Sequence, residues 1–173
     1  MEKEREEQVI SLCQKLIQQK SYSGEESGVV GVLSENMKQM GFDEVTVDKY
    51  GNIIGCIKGN RPGKKVLFDG HIDTVPVTEE AEWLYPPFAA EIHDGKIYGR
   101  GTSDMKGAVA AMTCAASNYA KDTGKDFAGE IYVAGVVHEE CFEGVAAREI
   151  SKNVRPDYVV IGEASQLNLK IGQ

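Results

Sequence analysis

The stretch that decides the fold is residues 66–75, with the sequence VLFDGHIDTV. Its apolar start has the character of a buried β-strand, and an imidazole, His71, and a carboxylate, Asp73, follow it two residues apart. Loops at the carboxyl edge of a sheet open into a crevice, where α/β proteins place their chemistry. A neutral imidazole is a good ligand for a divalent metal, and a nearby carboxylate can fix its tautomer. The stretch therefore predicts a strand that delivers a metal ligand.

The same arrangement of a strand end followed by an acidic residue recurs downstream. Glu139 and Glu140 follow one apolar run, and Glu163 follows another. Asp104 follows the glycine-rich sequence YGRGTS. One imidazole and three carboxylates would supply most of the ligands that a pair of divalent ions needs. A further glutamate that is not a ligand could take the proton of a metal-activated water.

The order of apolar patterns along the chain predicts an α/β fold. Helices are expected at residues 3–19, 29–40, 107–119 and 144–153, and strands at 44–47, 52–58, 64–69, 89–92, 96–98, 130–137 and 157–161. Ser23 and Glu26 have the spacing of a capping box before the second helix. Strands that alternate with helices favour a mostly parallel sheet flanked by helices, in one domain of residues 1–173. Residues 167–173 alternate like a strand that has just begun, so we expect the fold to be incomplete.

Composition excludes several classes of protein. The chain has 173 residues and a net charge of −8, from 27 acidic and 19 basic residues, which argues against a nucleic-acid surface. No apolar run approaches the ~20 residues needed to span a bilayer, and the N-terminus has no signal core. We therefore expect a cytoplasmic protein with reduced cysteines. Of the four cysteines, Cys141 adjoins Glu140 and could line the site.

Each candidate taken alone also has an ordinary structural explanation. His71 could be a buried structural histidine, Asp73 and Asp104 could be turn or helix-capping residues, and the three glutamates could be solvated acids. All of these separate explanations would have to be true at the same time, whereas one shared site explains why the candidate residues recur at strand ends. His93 and His138 have no partners in the pattern and are expected to be structural. A metallopeptidase of the H-E-x-x-H type is disfavoured because the sequence HEECF lacks the second histidine.

Four motifs carry a family resemblance. They are GHIDTVP at residues 70–76, GRGTSDMKG at residues 99–107, Glu139-Glu140 with Gly144, and Gly162-Glu163. In order, spacing and context they resemble the M20 family of dinuclear zinc peptidases and deacylases, which includes aminoacylase, acetylornithine deacetylase and succinyl-diaminopimelate desuccinylase. Residues 161–173 look most like a subgroup of hydrolases linked to selenium metabolism.

The resemblance implies a ligand role for four residues. His71 and Glu163 would bind one metal ion, Asp104 would bridge the two ions, and Glu140 would bind the second. Zinc is the expected metal, with cobalt or manganese as possible alternatives, because all three accept mixed nitrogen and oxygen ligands. The family completes its second metal site with a histidine further along the chain, and no matching histidine occurs in this sequence.

The resemblance also implies catalytic roles and a substrate class. Glu139 would be the general base, Asp73 would orient His71, and a cis peptide bond would join Asp104 to Met105. The substrate would be a small peptide or an N-acyl amino acid, cleaved at an amide bond by metal-activated water. The alternative is a non-catalytic domain, or an inactive fragment with at most one metal site.

The family inserts a lid domain after the region that matches Glu163. In the family, that domain drives dimerisation and supplies groups that bind the substrate carboxylate. The chain would then be the N-terminal part of the catalytic domain of a longer, homodimeric enzyme, and we expect little activity from it alone.

Overall fold

The computed structural model describes residues 2–142, 144–166 and 168–171. The strands are β1 (Glu44–Val47), β2 (Ile53–Lys58), β3 (Arg61–His71), β4 (Glu91–His93), β5 (Lys96–Tyr98), β6 (Ala128–Val136) and β7 (Tyr158–Ile161). The helices are α1 (Glu2–Gln18), α2 (Ser27–Gln39), α3 (Gly107–Thr123), α4 (Glu139–Phe142) and α5 (Ala147–Val154). Short helical turns cover Glu80–Glu82 and Thr102–Lys106.

The main sheet has the strand order β1-β2-β6-β3-β7. β6, β3 and β7 pair in parallel, whereas β2 is antiparallel to both of its neighbours. Four of the five strands therefore run in one direction, which confirms the predicted mostly parallel sheet. β4 and β5 form a separate two-stranded hairpin. Within the described residues, none of the helices combines the length and apolar character that a membrane crossing requires.

One hydrophobic core joins the sheet to the helices. α1 contributes Leu12, Leu16 and Ile17, which are almost fully buried and lie at helical spacing. α2 packs against β1 and β2, while α3 packs against β3 and β6. Each fully buried aliphatic side chain contributes about 1.5–3 kcal/mol, so this core is what holds the strand ends in fixed positions.

Several local predictions differ from the structure. β3 begins at Arg61 and not at residue 64, and β4 spans Glu91–His93 and not residues 89–92. The capping box is wrong: α2 begins at Ser27, and Oγ of Ser23 donates instead to the carboxylate of Asp73 (2.6 Å). The helix predicted from residue 144 begins at Ala147, and the short helix α4 precedes it. Residues 168–171 form no strand, and the remainder of the predicted strand, Leu167 and residues 172–173, lies outside the described residues.

Candidate metal centre

Three adjacent parallel strands deliver the candidate ligands to one edge of the sheet. His71 is the last residue of β3 and lies opposite Val136, the last residue of β6. Glu139 and Glu140 open α4, just beyond β6, and Glu163 lies two residues beyond the end of β7. Because the carboxyl ends of parallel strands meet at the same edge, these side chains face a common crevice.

Asp104 reaches this edge from the irregular helical turn that precedes α3. The turn contains the implied cis peptide bond between Asp104 and Met105. It can lie against the end of β3 because residue 70 is a glycine: a Cβ there would be 2.6 Å from Cε of Met105 and 2.9 Å from Cγ2 of Val109. As a result, Oδ1 of Asp104 lies 2.9 Å from Nε2 of His71. α3 has no side-chain cap, so Asp104 is not the N-cap of that helix.

The candidate ligands form two overlapping groups. His71, Asp104 and Glu140 offer ligand atoms that all lie within 4.8 Å of one another, and so do His71, Glu139 and Glu163. Oε1 of Glu163 is 3.6 Å from Nε2 of His71. All of these residues line one cavity of about 650 Å³. The structure thus brings together His71, Asp104, Glu139, Glu140 and Glu163, as the sequence predicts.

The cavity concentrates negative charge. Burial and the neighbouring carboxylates raise the pKa of Glu139 and of Glu140, although His71 opposes the shift. Asp69, which the sequence analysis did not select, also lines the cavity, and burial together with Glu163 raises its pKa to about 6. Five carboxylates around one imidazole repel one another, and a divalent cation with a preference for oxygen and nitrogen ligands would neutralise them.

His71 is the buried centre of the cluster, with 3% of its surface exposed. Burial alone lowers the pKa of its imidazole, but the contacts with Asp73 and Asp104 outweigh burial and raise it to about 10. A metal ion that binds Nε2 must therefore displace a proton at neutral pH.

Asp73 lies beneath His71 and has two separate sets of partners. Its backbone carbonyl accepts the hydrogen bond from Nδ1 of His71 (2.9 Å), while its carboxylate is 3.6 Å from the same nitrogen and acts mainly through its charge. The carboxylate itself accepts the backbone N–H groups of Glu139 (3.1 Å) and Glu140 (3.2 Å) and the hydroxyl of Ser23. Burial raises the pKa of Asp73, but the neighbouring His71 imidazole and these hydrogen bonds outweigh burial and hold the pKa below its ordinary value.

Lys106 is a second buried residue that the sequence analysis did not select. Its ammonium donates to the carbonyl oxygens of Leu16 (3.1 Å) and Gln19 (2.9 Å), at the end of α1. Burial lowers the pKa of Lys106 to about 8. The only sequence signal was a lysine inside the motif GRGTSDMKG, which does not reveal that the side chain points into the core. The contact holds the turn that carries Asp104 against α1.

The two other histidines lie outside both ligand groups. His93 is the last residue of β4, and its ring stacks on that of Tyr85, with ring centroids 3.8 Å apart. Nδ1 of His138 lies 3.8 Å from the carboxylate of Glu26. Cys141 is exposed and does not line the cavity. Cys13, Cys56 and Cys114 are free, buried thiols.

Comparison with solved structures supports the fold. Human carnosine dipeptidase 1 superposes with a TM-score of 0.75 at 24% identity, over 96% of this chain and 39% of that one. The Bacillus subtilis YXEP protein, described as a dinuclear metal binding peptidase from the M20 family, superposes with a TM-score of 0.65 at 18% identity, over 88% of this chain and 40% of that one. At these identities the likeness establishes the fold alone.

Sequence comparison identifies the family. Succinyl-diaminopimelate desuccinylase 2 of Ruegeria sp. (strain TM1040) is 31% identical over 176 residues, which cover 95% of this chain and 44% of that protein. The chain spans about two fifths of the length of the curated relatives it matches. The sequence signature of peptidase family M20/M25/M40 matches residues 67–172, which is well over half of the chain. The residues of the strand-end cluster around His71 all lie within the matched stretch, and the chain belongs to peptidase family M20/M25/M40.

Proposed function

We propose that the chain carries most of the metal centre of a hydrolase that cleaves an amide bond in a small peptide or an N-acyl amino acid. The observation that carries the proposal is the convergence of His71 with four carboxylates at one sheet edge, in two groups within 4.8 Å. Membership of a peptidase family and the similarity to the Ruegeria desuccinylase support the reaction class.

The donor set fits two divalent ions with mixed nitrogen and oxygen ligands, most simply zinc, with cobalt or manganese as alternatives. His71 and Glu163 would hold one ion, Glu140 the other, and Asp104 would lie between them. When bound, such ions make a water acidic enough to attack near neutral pH and polarise the amide carbonyl. His71 can serve only one ion, because both groups share its single free nitrogen, Nε2.

Glu139 is the proposed general base. It opens α4 beside the ligand Glu140, and its carboxylate is within 4.8 Å of the ligand atoms of His71 and Glu163. The raised pKa of Glu139 suits a group that accepts a proton from water and passes it to the leaving nitrogen. Asp73 would fix the tautomer of His71 through its carbonyl oxygen and hold the backbone of Glu139 through its carboxylate.

A second candidate is a domain that keeps the fold and one metal site without turnover. It is favoured by the single imidazole in the two ligand groups of the described residues. The second ion would depend on carboxylates alone in this chain, and its affinity would be low. The two candidate functions predict different numbers of bound metal ions and different activities, but the same position for the first ion.

Zinc content after dialysis against trace zinc tests the metal centre. We expect about one zinc per chain in the wild type, because one ion can use the imidazole, and loss of that zinc in His71→Ala. A His93→Ala variant is the matched control, since His93 lies outside both groups. Zinc binding that survives in His71→Ala would contradict the proposed ligand set.

Variants of Glu139 and Glu140 distinguish a general base from a metal ligand. In the whole protein, Glu139→Ala should abolish hydrolysis of N-acyl amino acids and leave the metal content nearly unchanged. Glu140→Ala should lower both, because it removes a ligand. Elemental analysis and a turnover assay of the two variants check the assignment. A fall in bound metal in Glu139→Ala would identify Glu139 as a ligand instead.

A further inference from the structure

The turn between β6 and α4 is held by side chains in place of backbone partners. Its four consecutive N–H groups, those of residues 137–140, each donate to a side-chain oxygen. The first donates to Oδ1 of Asn52 (3.0 Å), the second to Oε1 of Glu26 (3.0 Å), and the third and fourth to the two carboxylate oxygens of Asp73 (3.1 and 3.2 Å). Backbone donors in an irregular turn need such partners when water is excluded.

The three acceptors come from distant parts of the sequence and are themselves buried. Asn52 immediately precedes β2, Glu26 immediately precedes α2, and Asp73 follows β3. Their exposed fractions are 0%, 5% and 0%. Three buried residues from distant parts of the chain therefore hold the turn at the same time.

Glu26 acts at the point where the backbone changes direction. The residue whose N–H it accepts, His138, has a φ of +57°, a left-handed conformation that residues other than glycine rarely adopt. Such a conformation persists where the surroundings hold it. Oε1 of Glu26 also accepts the N–H of Gly24 (2.9 Å), which fixes the carboxylate itself. The residue that follows this bend is Glu139.

We propose that Glu26 is a positioning residue for Glu139 and Glu140, an inference that rests on the proposed metal-dependent hydrolysis. Glu26 belongs to neither ligand group and acts through the N–H of His138. Its hydrogen bond fixes the bend, and the bend directs the base and the neighbouring ligand into the cavity. Without it, the turn would sample other conformations, and the ligand atoms would spend less time within reach of one ion.

Variants of Glu26 distinguish the effect of side-chain length from the effect of charge. Glu26→Asp keeps the carboxylate but shortens the side chain by one methylene, so that it no longer spans the distance to His138. Glu26→Gln keeps the length and one acceptor oxygen, so it should restore the hydrogen bond. Glu35→Asp is the matched control, because Glu35 is an exposed glutamate of α2, the helix that Glu26 immediately precedes. Leu33→Ala, in the buried face of α2, controls for a general loss of stability.

Amide hydrogen exchange of the metal-free chain, followed by NMR, tests the hydrogen bond itself. In Glu26→Asp we expect the amides of residues 138–140 to exchange at least about tenfold faster, while those of β6 keep their protection. Glu26→Gln and Glu35→Asp should match the wild type. Leu33→Ala should change the exchange of the core as a whole. Unchanged protection of residues 138–140 in Glu26→Asp would overturn the proposal.

Cobalt binding tests the consequence for the site. In Glu26→Asp we expect cobalt to bind about 10–100-fold more weakly, with an altered visible absorption spectrum, and in Glu26→Gln we expect both to recover. A Glu26→Asp variant whose turn is freed but whose cobalt affinity and spectrum match the wild type would overturn the positioning role. A wild type that binds no cobalt would contradict the proposed function. In that case, faster amide exchange confined to residues 138–140 in Glu26→Asp would still support the positioning role of Glu26.

Discussion

His71 is the residue at which both groups of candidate ligands meet. It is buried, its Nδ1 is engaged by the carbonyl oxygen of Asp73, and its Nε2 faces the carboxylates of the candidate ligands. This arrangement leaves one ring nitrogen for the proposed metal ion, while the hydrogen bond at Nδ1 orients the imidazole. The metal affinity of the proposed site should therefore depend on the residues that hold the imidazole in place, chiefly Asp73.

Replacement of Asp73 should weaken metal binding although Asp73 is not a proposed ligand. Asp73→Ala removes the acceptor of two backbone N–H groups and the negative charge beside His71, so we expect zinc affinity to fall by about 10–100-fold. Competition titration against a chromogenic chelator measures the affinity. Asp126→Ala, at an exposed surface aspartate, is the control. Equal zinc affinities in Asp73→Ala and the wild type would show that Asp73 does not support the metal centre.

Asp104 follows a glycine-rich sequence, but the three other candidate ligands could be predicted because each follows an apolar run, and parallel strands bring such positions together. The partners of Asp73 could not, because Ser23 and Glu139 are 50 and 66 residues away in the chain. No local pattern encodes a hydrogen bond between residues that only the folded core brings into contact. Asp69 could not be predicted for a related reason: it lies within an apolar strand, where the sequence around a single acidic residue does not indicate which face of the sheet it occupies.

At the scale of elements, the turn before α3 is tied to the first helix. Lys106 donates from this turn to the carbonyl oxygen of Leu16, in the last turn of α1, and to that of Gln19, the residue that follows the helix. A positive charge at a helix C-terminus is also favoured by the helix dipole. α1 thereby supports the turn that carries Asp104, although about ninety residues separate them in sequence.

Lys106→Met should destabilise the fold, and increasingly so at alkaline pH. Loss of the two hydrogen bonds should cost about 1–3 kcal/mol at neutral pH. The folded pKa of about 8 lies below the ordinary 10.5. Between these values the unfolded state binds more protons, so the contribution of Lys106 to stability grows as pH rises. Urea unfolding of both proteins at several pH values from 7 upward measures the difference. A difference that stays constant with pH would contradict the lowered pKa.

Strands were easier to predict than helix boundaries. Apolar runs located the seven strands, although the bounds of β3 and β4 differ from the predicted ones, and the hairpins of β1–β2 and β4–β5 form where glycine-containing turns were expected. The capping box failed because a long-range partner outcompeted the local one: Ser23 bonds to Asp73, and Glu26 bonds to the turn after β6. Sequence spacing describes what a side chain can reach locally, not what the tertiary fold offers it.

At the scale of the whole molecule, the two edges of the sheet differ in character. On β7, Tyr158, Val159, Val160 and Ile161 are each 47–63% exposed. Among the described strands, β7 pairs only with β3. An apolar edge strand with unpaired backbone groups can pair with another chain. β1, at the opposite edge, carries charged and polar residues among its four.

A charge on β7 should reduce self-association of this chain. Val160→Lys places an ammonium on the exposed edge, and we expect dimerisation to weaken by on the order of tenfold, or ~1.4 kcal/mol. Val47→Lys, on the opposite edge strand, is the matched control, because Val47 is also about half exposed. Sedimentation velocity over a range of concentrations measures the effect. Equal association of Val160→Lys and the wild type would show that β7 is not the contact.

β6 lies between β2 and β3, two strands that precede it in the chain. Asn52 and Asp73 stand on opposite sides of the gap that β6 fills, and the turn that carries Glu139 and Glu140 bonds to both. During synthesis the acceptors leave the ribosome long before the turn does, yet they cannot engage it until β6 has entered between its neighbours. Insertion of this central strand therefore sets the earliest moment at which a nascent chain could capture metal, so the ion would not bind productively to a half-made sheet.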